Sequence, residues 1–285
     1  MTIFEGILQG ILQGITEFLP VSSSGHLSLF QHFFGLSGES SVLMTIVLHL
    51  GTLVAVFIAF WDKIKELIVE AFRMIGDIFT GKFRWKTMNP NRRMIVMIII
   101  SILPLFIFYI FRDIFATLAS DEDIIVEGVC FLYTSVLLFM SIHYSKHNTK
   151  LAGETTVSSA LFIGFFQGVA LLPGVSRSGS TIAAAMLTGM KRDEAVNYSF
   201  ILGIPVILAG AVTEIGGASQ SGVEVDILPL AVGAIVAAVV GYLSIKLIKY
   251  LVVSDKFKIF AYYTGILGIV VIGLGVAERL KIINI

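Results

Sequence analysis

Apolar residues run along this chain in stretches of about twenty, long enough to cross the roughly 30 Å hydrocarbon core of a bilayer as α-helix. Six such stretches cover 42–60, 93–112, 124–143, 196–216, 227–247 and 258–278. Two further apolar stretches, 2–34 and 157–189, are broken in the middle by Pro20-Val-Ser-Ser-Ser-Gly25 and Pro173-Gly-Val-Ser-Arg-Ser-Gly179. Each half of a broken stretch is too short to span. The pattern therefore predicts an all-α integral membrane fold with six transmembrane helices and two re-entrant helical hairpins. Residues 62–80 follow another rhythm, with Ile64, Leu67, Ile68, Ala71, Phe72 and Ile75 set against Lys63, Glu66, Glu70 and Arg73. That spacing predicts an amphipathic helix along the inner membrane surface.

Charge orients these elements. Segment 61–93 carries eight basic residues from Lys63 to Arg93, whereas 113–127 carries Asp113, Asp121, Glu122, Asp123 and Glu127 with none. The 217–226 loop holds Glu224 and Asp226, again without a basic residue. With basic loops on the cytoplasmic side, 16 of the 20 Lys and Arg lie inside and the six spans alternate without conflict. Each broken stretch must then enter and leave on one face, the first opening outward and the second inward. Composition agrees: 56% of residues are hydrophobic, 14% are charged, and mean hydropathy is +0.91. This excludes a soluble enzyme, a disordered chain or a small disulfide scaffold. A net charge of zero gives no case for nucleic-acid binding. The single cysteine, Cys130, can form no internal disulfide. No basic residue precedes Lys63, so the first segment is expected to stay in the mature protein and not to act as a cleavable signal.

The broken stretches resemble each other. Gln13-Gly14 recurs as Gln167-Gly168 and Gly25 as Gly179, both at an offset of 154, while Leu50-Gly51 recurs as Leu202-Gly203 at 152. The chain thus reads as one membrane domain over 1–285. Repeat 1 is 1–150 with hairpin 2–34, and repeat 2 is 151–285 with hairpin 157–189. Each repeat is a hairpin followed by three spans; three is odd, so the repeats are inverted. Interrupted segments at matching places in inverted halves point to a midplane site between them.

The chemistry of that site comes from its side chains. Free backbone N–H groups and half-helix N-termini favour anions, phosphate above all. Arg177 is the basic residue well inside an apolar stretch, and its planar fork suits a phosphate. Ser176, Ser178, Ser180 and Thr181 are candidate donors to the same oxygens. The plainer alternative is an arginine that pairs with Glu17 and only staples the hairpins. Gln13 stands one turn before Glu17, so the two can share a cation through oxygen ligands. Ser22, Ser23 and Ser24 are candidate nucleophiles or phosphate ligands, with His26 near enough in sequence to activate one. His49 reads as a structural or supporting histidine, and His32, His143 and His147 as interface residues.

Gln13-Gly-Ile-Thr-Glu17-Phe-Leu-Pro-Val-Ser-Ser-Ser-Gly-His26 resembles the first motif of the undecaprenyl-pyrophosphate phosphatase family, linked to bacitracin resistance. Pro173-Gly-Val-Ser-Arg-Ser-Gly-Ser-Thr181 resembles its second. The resemblance extends over the whole chain in length and layout. It implies a metal-dependent hydrolase of the bacterial cytoplasmic membrane, facing outward, with a divalent cation (Mg or Ca) as cofactor. Its substrate would be a polyprenyl pyrophosphate lipid, converted to the monophosphate carrier for peptidoglycan synthesis; a homodimer is a candidate assembly. Position by position, it implies Glu17 and Gln13 as the acidic motif's functional pair, Ser23 and His26 as catalytic, and Arg177 as the phosphate-binding arginine. Ser176, Ser178 and Thr181 fall on its hydroxyl positions. Gln13 stands where many members carry a second Glu, and His49 where Gln is expected. From the residues alone a transporter using the same site for a lipid phosphate stays open. His26 beside three serines favours chemistry.

Overall fold

The computed structural model describes residues 2–34, 39–111, 124–172, 174–218, 226–254 and 256–282. Asp113, Asp121, Glu122, Asp123, Pro173 and Glu224 lie outside the described residues. The chain forms helices α1 (Ile3–Thr16), α2 (Ser23–Phe34), α3 (Glu39–Ala59), α4 (Trp61–Phe79), α5 (Pro90–Tyr109) and α6 (Ile125–Tyr144). There follow α7 (Val157–Val169), α8 (Arg177–Leu187), α9 (Arg192–Ala218), α10 (Ile227–Val253) and α11 (Lys258–Arg279).

Among the described residues, five helices have the length and apolarity to span a membrane: α5, α6, α9, α10 and α11. A sixth candidate is α3, which passes into α4 across a bend of 87° at Phe60. All six predicted spans coincide with these helices. The expected amphipathic segment is α4. It buries Ile64, Leu67 and Met74 and exposes Ile68, Phe72, Ile75 and Phe79. Arg92 of α5 holds α4 in place through Glu70 and Asp77, each at 2.8 Å.

The broken stretches form short helices. At 1.5 Å per residue, α1, α2, α7 and α8 reach only about 17–21 Å. The chain leaving α8 returns to the segment that enters α7: Lys150 N–H donates to Gly189 O at 3.2 Å and Lys191 N–H to Lys150 O at 2.9 Å.

Close packing of these short helices depends on missing side chains. Helix α1 lies against α10, where a Cβ on Gly6 or Gly10 would come within 2.6 Å of the Pro229 or Gly233 carbonyl oxygen. Helix α7 lies against α5 in the same manner, with Gly164 over the Ser101 carbonyl and Gly168 over the Phe108 ring. Small residues allow such approach between helices in a membrane, where apolar burial alone drives no association. The two breaks meet inside the bundle. A Cβ on Gly25 would sit 3.1 Å from Gly174 Cα, and one on Gly179 would sit 3.2 Å from Pro20 Cβ.

Candidate active site

Both breaks are built around a serine cap. Ser22 Oγ accepts from Gly25 N–H at 3.2 Å, and Ser176 Oγ accepts from Gly179 N–H at 3.0 Å. These caps satisfy donors left open at the first turns of α2 and α8. Ser22 adopts φ +73°, a left-handed conformation costly for a residue with a Cβ. That turn reverses the chain so that Glu17, at the end of α1, faces Ser23, at the start of α2. Phe18 anchors the turn, its ring edge-on to Phe200 of α9 with centroids 5.3 Å apart.

Glu17 is the hub. Its Oε1 accepts from Arg177 Nη2 across the two breaks. Its Oε2 accepts from Gln13 Nε2 at 3.0 Å and from Ser23 Oγ at 2.7 Å. His49 Nε2 of α3 stands 3.6 Å from the same oxygen. The carboxylate is 5% exposed and the guanidinium side chain 17%. Gly203 of α9 makes room for the guanidinium, because a Cβ there would collide with Arg177 Nη1. The arginine thus pairs with Glu17 as the plainer alternative expected, and it also lines a cavity.

That cavity, about 310 Å³, is lined by Glu17, Ser23, Ser24, His49, Ser176, Arg177 and Ser178. Ile46, Leu171, Val175, Val206, Ile207 and Ala211 add apolar surface to its lining. A larger cavity of about 610 Å³ lies elsewhere, lined by Lys63, Asn91, Glu154, Glu194 and Lys249, and holds none of the expected site residues.

Other candidates are placed differently. His26 is not among the cavity's lining residues. Its Nδ1 faces Ser22 O at 2.7 Å and its Nε2 faces Tyr263 Oη at 2.7 Å, so the ring ties α2 to α11. Ser22 is buried behind its cap. Thr181 turns its hydroxyl to Ser199 and to Arg177 O at 2.9 Å, away from the cavity. Ser178 Oγ donates to Leu19 O at 3.2 Å, joining the two breaks, and Ser24 Oγ accepts from Gly174 N–H at 3.2 Å. Ser180 Oγ is buried with no partner among the described residues. The physical reason is common to several of these: a hydroxyl at a helix start is first claimed by the backbone around it.

One acidic placement escaped the sequence, and one histidine that could approach the site from mid-span does so. Glu127, grouped with the outer acidic segment, is instead buried in the first turn of α6, where Ser28 Oγ donates to its Oε1 at 2.7 Å. Nothing in its neighbourhood along the chain signals this. His49, at an ordinary span position, is brought to Glu17 by the packing of α3 against α1.

Membrane-length helices around a buried carboxylate, a guanidinium and a serine hydroxyl that donates to the carboxylate make a polar site within an integral-membrane protein. The chain belongs to the family of bacitracin resistance protein BacA, whose family model matches residues 6–270. It is 40% identical over 274 residues to an undecaprenyl-diphosphatase of Halothermothrix orenii, covering 95% of this chain and 98% of that one. It is 36% identical over 276 residues to the undecaprenyl-diphosphatase of Alkaliphilus metalliredigens, covering 95% and 98%. The namesake from Carboxydothermus hydrogenoformans is 34% identical over 283 residues, covering 98% of this chain and 100% of the relative.

Proposed function

We propose that this protein removes the terminal phosphate of undecaprenyl pyrophosphate, releasing inorganic phosphate and the lipid monophosphate that carries peptidoglycan precursors. Regenerating that carrier would counter bacitracin. The observation that carries this reading is the hydrogen-bonded Ser23–Glu17–Arg177 cluster in a cavity also lined by apolar side chains. At about 310 Å³ the cavity suits a pyrophosphate head. The polyprenyl tail would lie along the apolar helix surfaces in the bilayer.

In this reading Arg177 leaves Glu17 for the terminal phosphate, which its fork can grip with two parallel hydrogen bonds. The Ser23 hydrogen already points to Glu17 Oε2, so an oxygen lone pair is free for phosphorus. Attack forms an Oγ–P bond and breaks the bond from phosphorus to the bridging oxygen, which leaves on the lipid monophosphate. The serine proton passes to Glu17, relieved of its guanidinium. Water then attacks phosphorus and breaks the Oγ–P bond; Ser23 Oγ takes back the proton held on Glu17, and the water's own protons leave with inorganic phosphate. His26 acts from behind, holding the turn at Ser22.

A divalent cation also belongs to the proposal. Among the described residues no three His, Cys, Asp or Glu gather. The set at Glu17 nevertheless fits a cation completed by substrate phosphates: one carboxylate, and Gln13 Oε1, buried without a partner. Glu17 and Gln13 would hold it, and it would neutralise phosphate charge.

We further propose that residues 1–150 and 151–285 are inverted repeats with re-entrant hairpins at 2–34 and 157–189. The site would open outward from the bacterial cytoplasmic membrane. Supporting this, α1 packs on α10 while its counterpart α7 packs on α5, and the contact Gly25–Gly174 has its counterpart in Gly179–Pro20 at an offset of 154. The Lys150–Lys191 pairing brings together the ends of the second broken stretch.

The test is phosphate release from undecaprenyl pyrophosphate by the detergent-purified chain, with and without chelator, beside Arg177→Ala and Arg177→Lys. Chelator-sensitive release, lost in Arg177→Ala and poorly restored by lysine, is expected. No release from folded protein supplied with divalent cation would overturn the reading.

A further inference from the structure

His49 is the titratable side chain of the cavity that the proposed reaction leaves unused. Its Nδ1 lies 2.8 Å from the Thr45 carbonyl oxygen. A carbonyl can only accept, so Nδ1 carries the hydrogen and the lone pair of the neutral ring sits at Nε2. That nitrogen faces Glu17 Oε2 at 3.6 Å, beyond hydrogen-bond reach. Oε2 already accepts from Gln13 and Ser23. With the ring neutral, Nε2 and Oε2 are two acceptors facing each other across the cavity edge, the arrangement a cation would bridge.

A third acceptor is close by along α1. Gln13 Oε1 is buried with no partner among the described residues, while its Nε2 occupies Glu17. Turning the amide over would bring the orphaned oxygen to the Glu17 side and free one lone pair of Oε2. Carboxylate oxygen, amide oxygen and imidazole nitrogen would then converge.

We propose that His49 Nε2 is a nitrogen ligand of a divalent cation held with Glu17 and Gln13, an inference that rests on the cation reading above. Two donors each about 2.1 Å from one ion lie about 3.0 Å apart at octahedral angles and about 3.4 Å at tetrahedral ones. The 3.6 Å gap closes to that range with a shift of a few tenths of an ångström. The Thr45 carbonyl on Nδ1 is the backing that metal-bound histidines ordinarily have, fixing the tautomer and the ring plane. An imidazole in the set favours first-row transition ions over Ca²⁺, which takes oxygen ligands. Mn²⁺, at the weak-binding end of that row, has electron spins that report a nitrogen ligand.

The experiment titrates Mn²⁺ into the full chain in detergent micelles and reads nitrogen coupling by electron spin-echo modulation, with histidine in ¹⁴N and ¹⁵N forms. The expected result is a nitrogen signal in the wild type that changes with the isotope and vanishes in His49→Gln. Mn²⁺ affinity in that variant should fall about tenfold or more, with Ca²⁺ binding changed less. Manganese that binds in a manner sensitive to Glu17→Gln, yet shows no histidine coupling in the wild type, would overturn the His49 assignment and leave the cation reading standing. Coupling that persists in His49→Gln would overturn it too. Binding indifferent to Glu17→Gln would overturn both.

Discussion

At Glu17 three side chains donate to two carboxylate oxygens, and His49 stands just outside hydrogen-bond reach. The guanidinium of Arg177 is held there in part by an absence, the missing Cβ of Gly203. Gly203→Ala should push the flexible end of Arg177 aside without disturbing backbone. Activity on the pyrophosphate lipid is expected to fall about a hundredfold, as for a displacement of about 1 Å at a reacting centre, with the thermal midpoint nearly unchanged. A matching loss of stability would mean that Gly203 serves packing alone. Ser23→Ala should abolish turnover while lipid pyrophosphate still binds, measured by competition with a labelled substrate; an active Ser23→Ala enzyme would exclude the covalent route. The motifs drew attention to Gln13, Glu17 and Arg177 before any coordinates, because broken apolar stretches with embedded polar residues are costly unless used; Ser23 was singled out from its neighbours by resemblance alone. They did not separate the cavity-lining hydroxyls of Ser23 and Ser24 from those of Ser22 and Thr181, which are spent elsewhere. One hydroxyl beside a helix start looks like another in sequence, and its partner is chosen by backbone turns such as the left-handed Ser22.

At the level of elements, short helices are held by backbone contact and not by large side chains. Gly10→Val should force α1 away from the Gly233 carbonyl of α10. The cost of such overpacking is about 1–3 kcal/mol, read as a lowered midpoint of thermal unfolding in micelles. Gly273→Val is the control, since a Cβ there meets nothing within 4 Å, and its effect should stay within about 0.5 kcal/mol. Equal effects from both would remove the close approach as the cause. The helices themselves were easy to read: each predicted span falls on a helix, and α4 on the amphipathic segment. The 87° bend between α3 and α4 was visible only as a change from apolar run to mixed face at Trp61.

Across the whole molecule, the basic segments cluster at one end, where Arg92 ties α4 to α5 and Arg93 Nε donates to Thr155 O at 2.9 Å. If charge sets the orientation, Asp226→Cys in a Cys130→Ala background should react with an impermeant maleimide on intact cells. Arg84→Cys should react only after permeabilisation. The reverse pattern would turn the protein over and place the site on the other face. Span length, break position and charge asymmetry are local properties that water and lipid enforce on any chain of this pattern, so residue order alone was enough to reveal them. The burial of Glu127 belongs to a different kind of fact, as do the distances at which Arg177, 160 positions away, and His49 stand from Glu17, neighbours the sequence could offer but not place. Each depends on which helix faces pack together, and that is settled by the summed fit of glycine-lined surfaces that no short window of sequence contains.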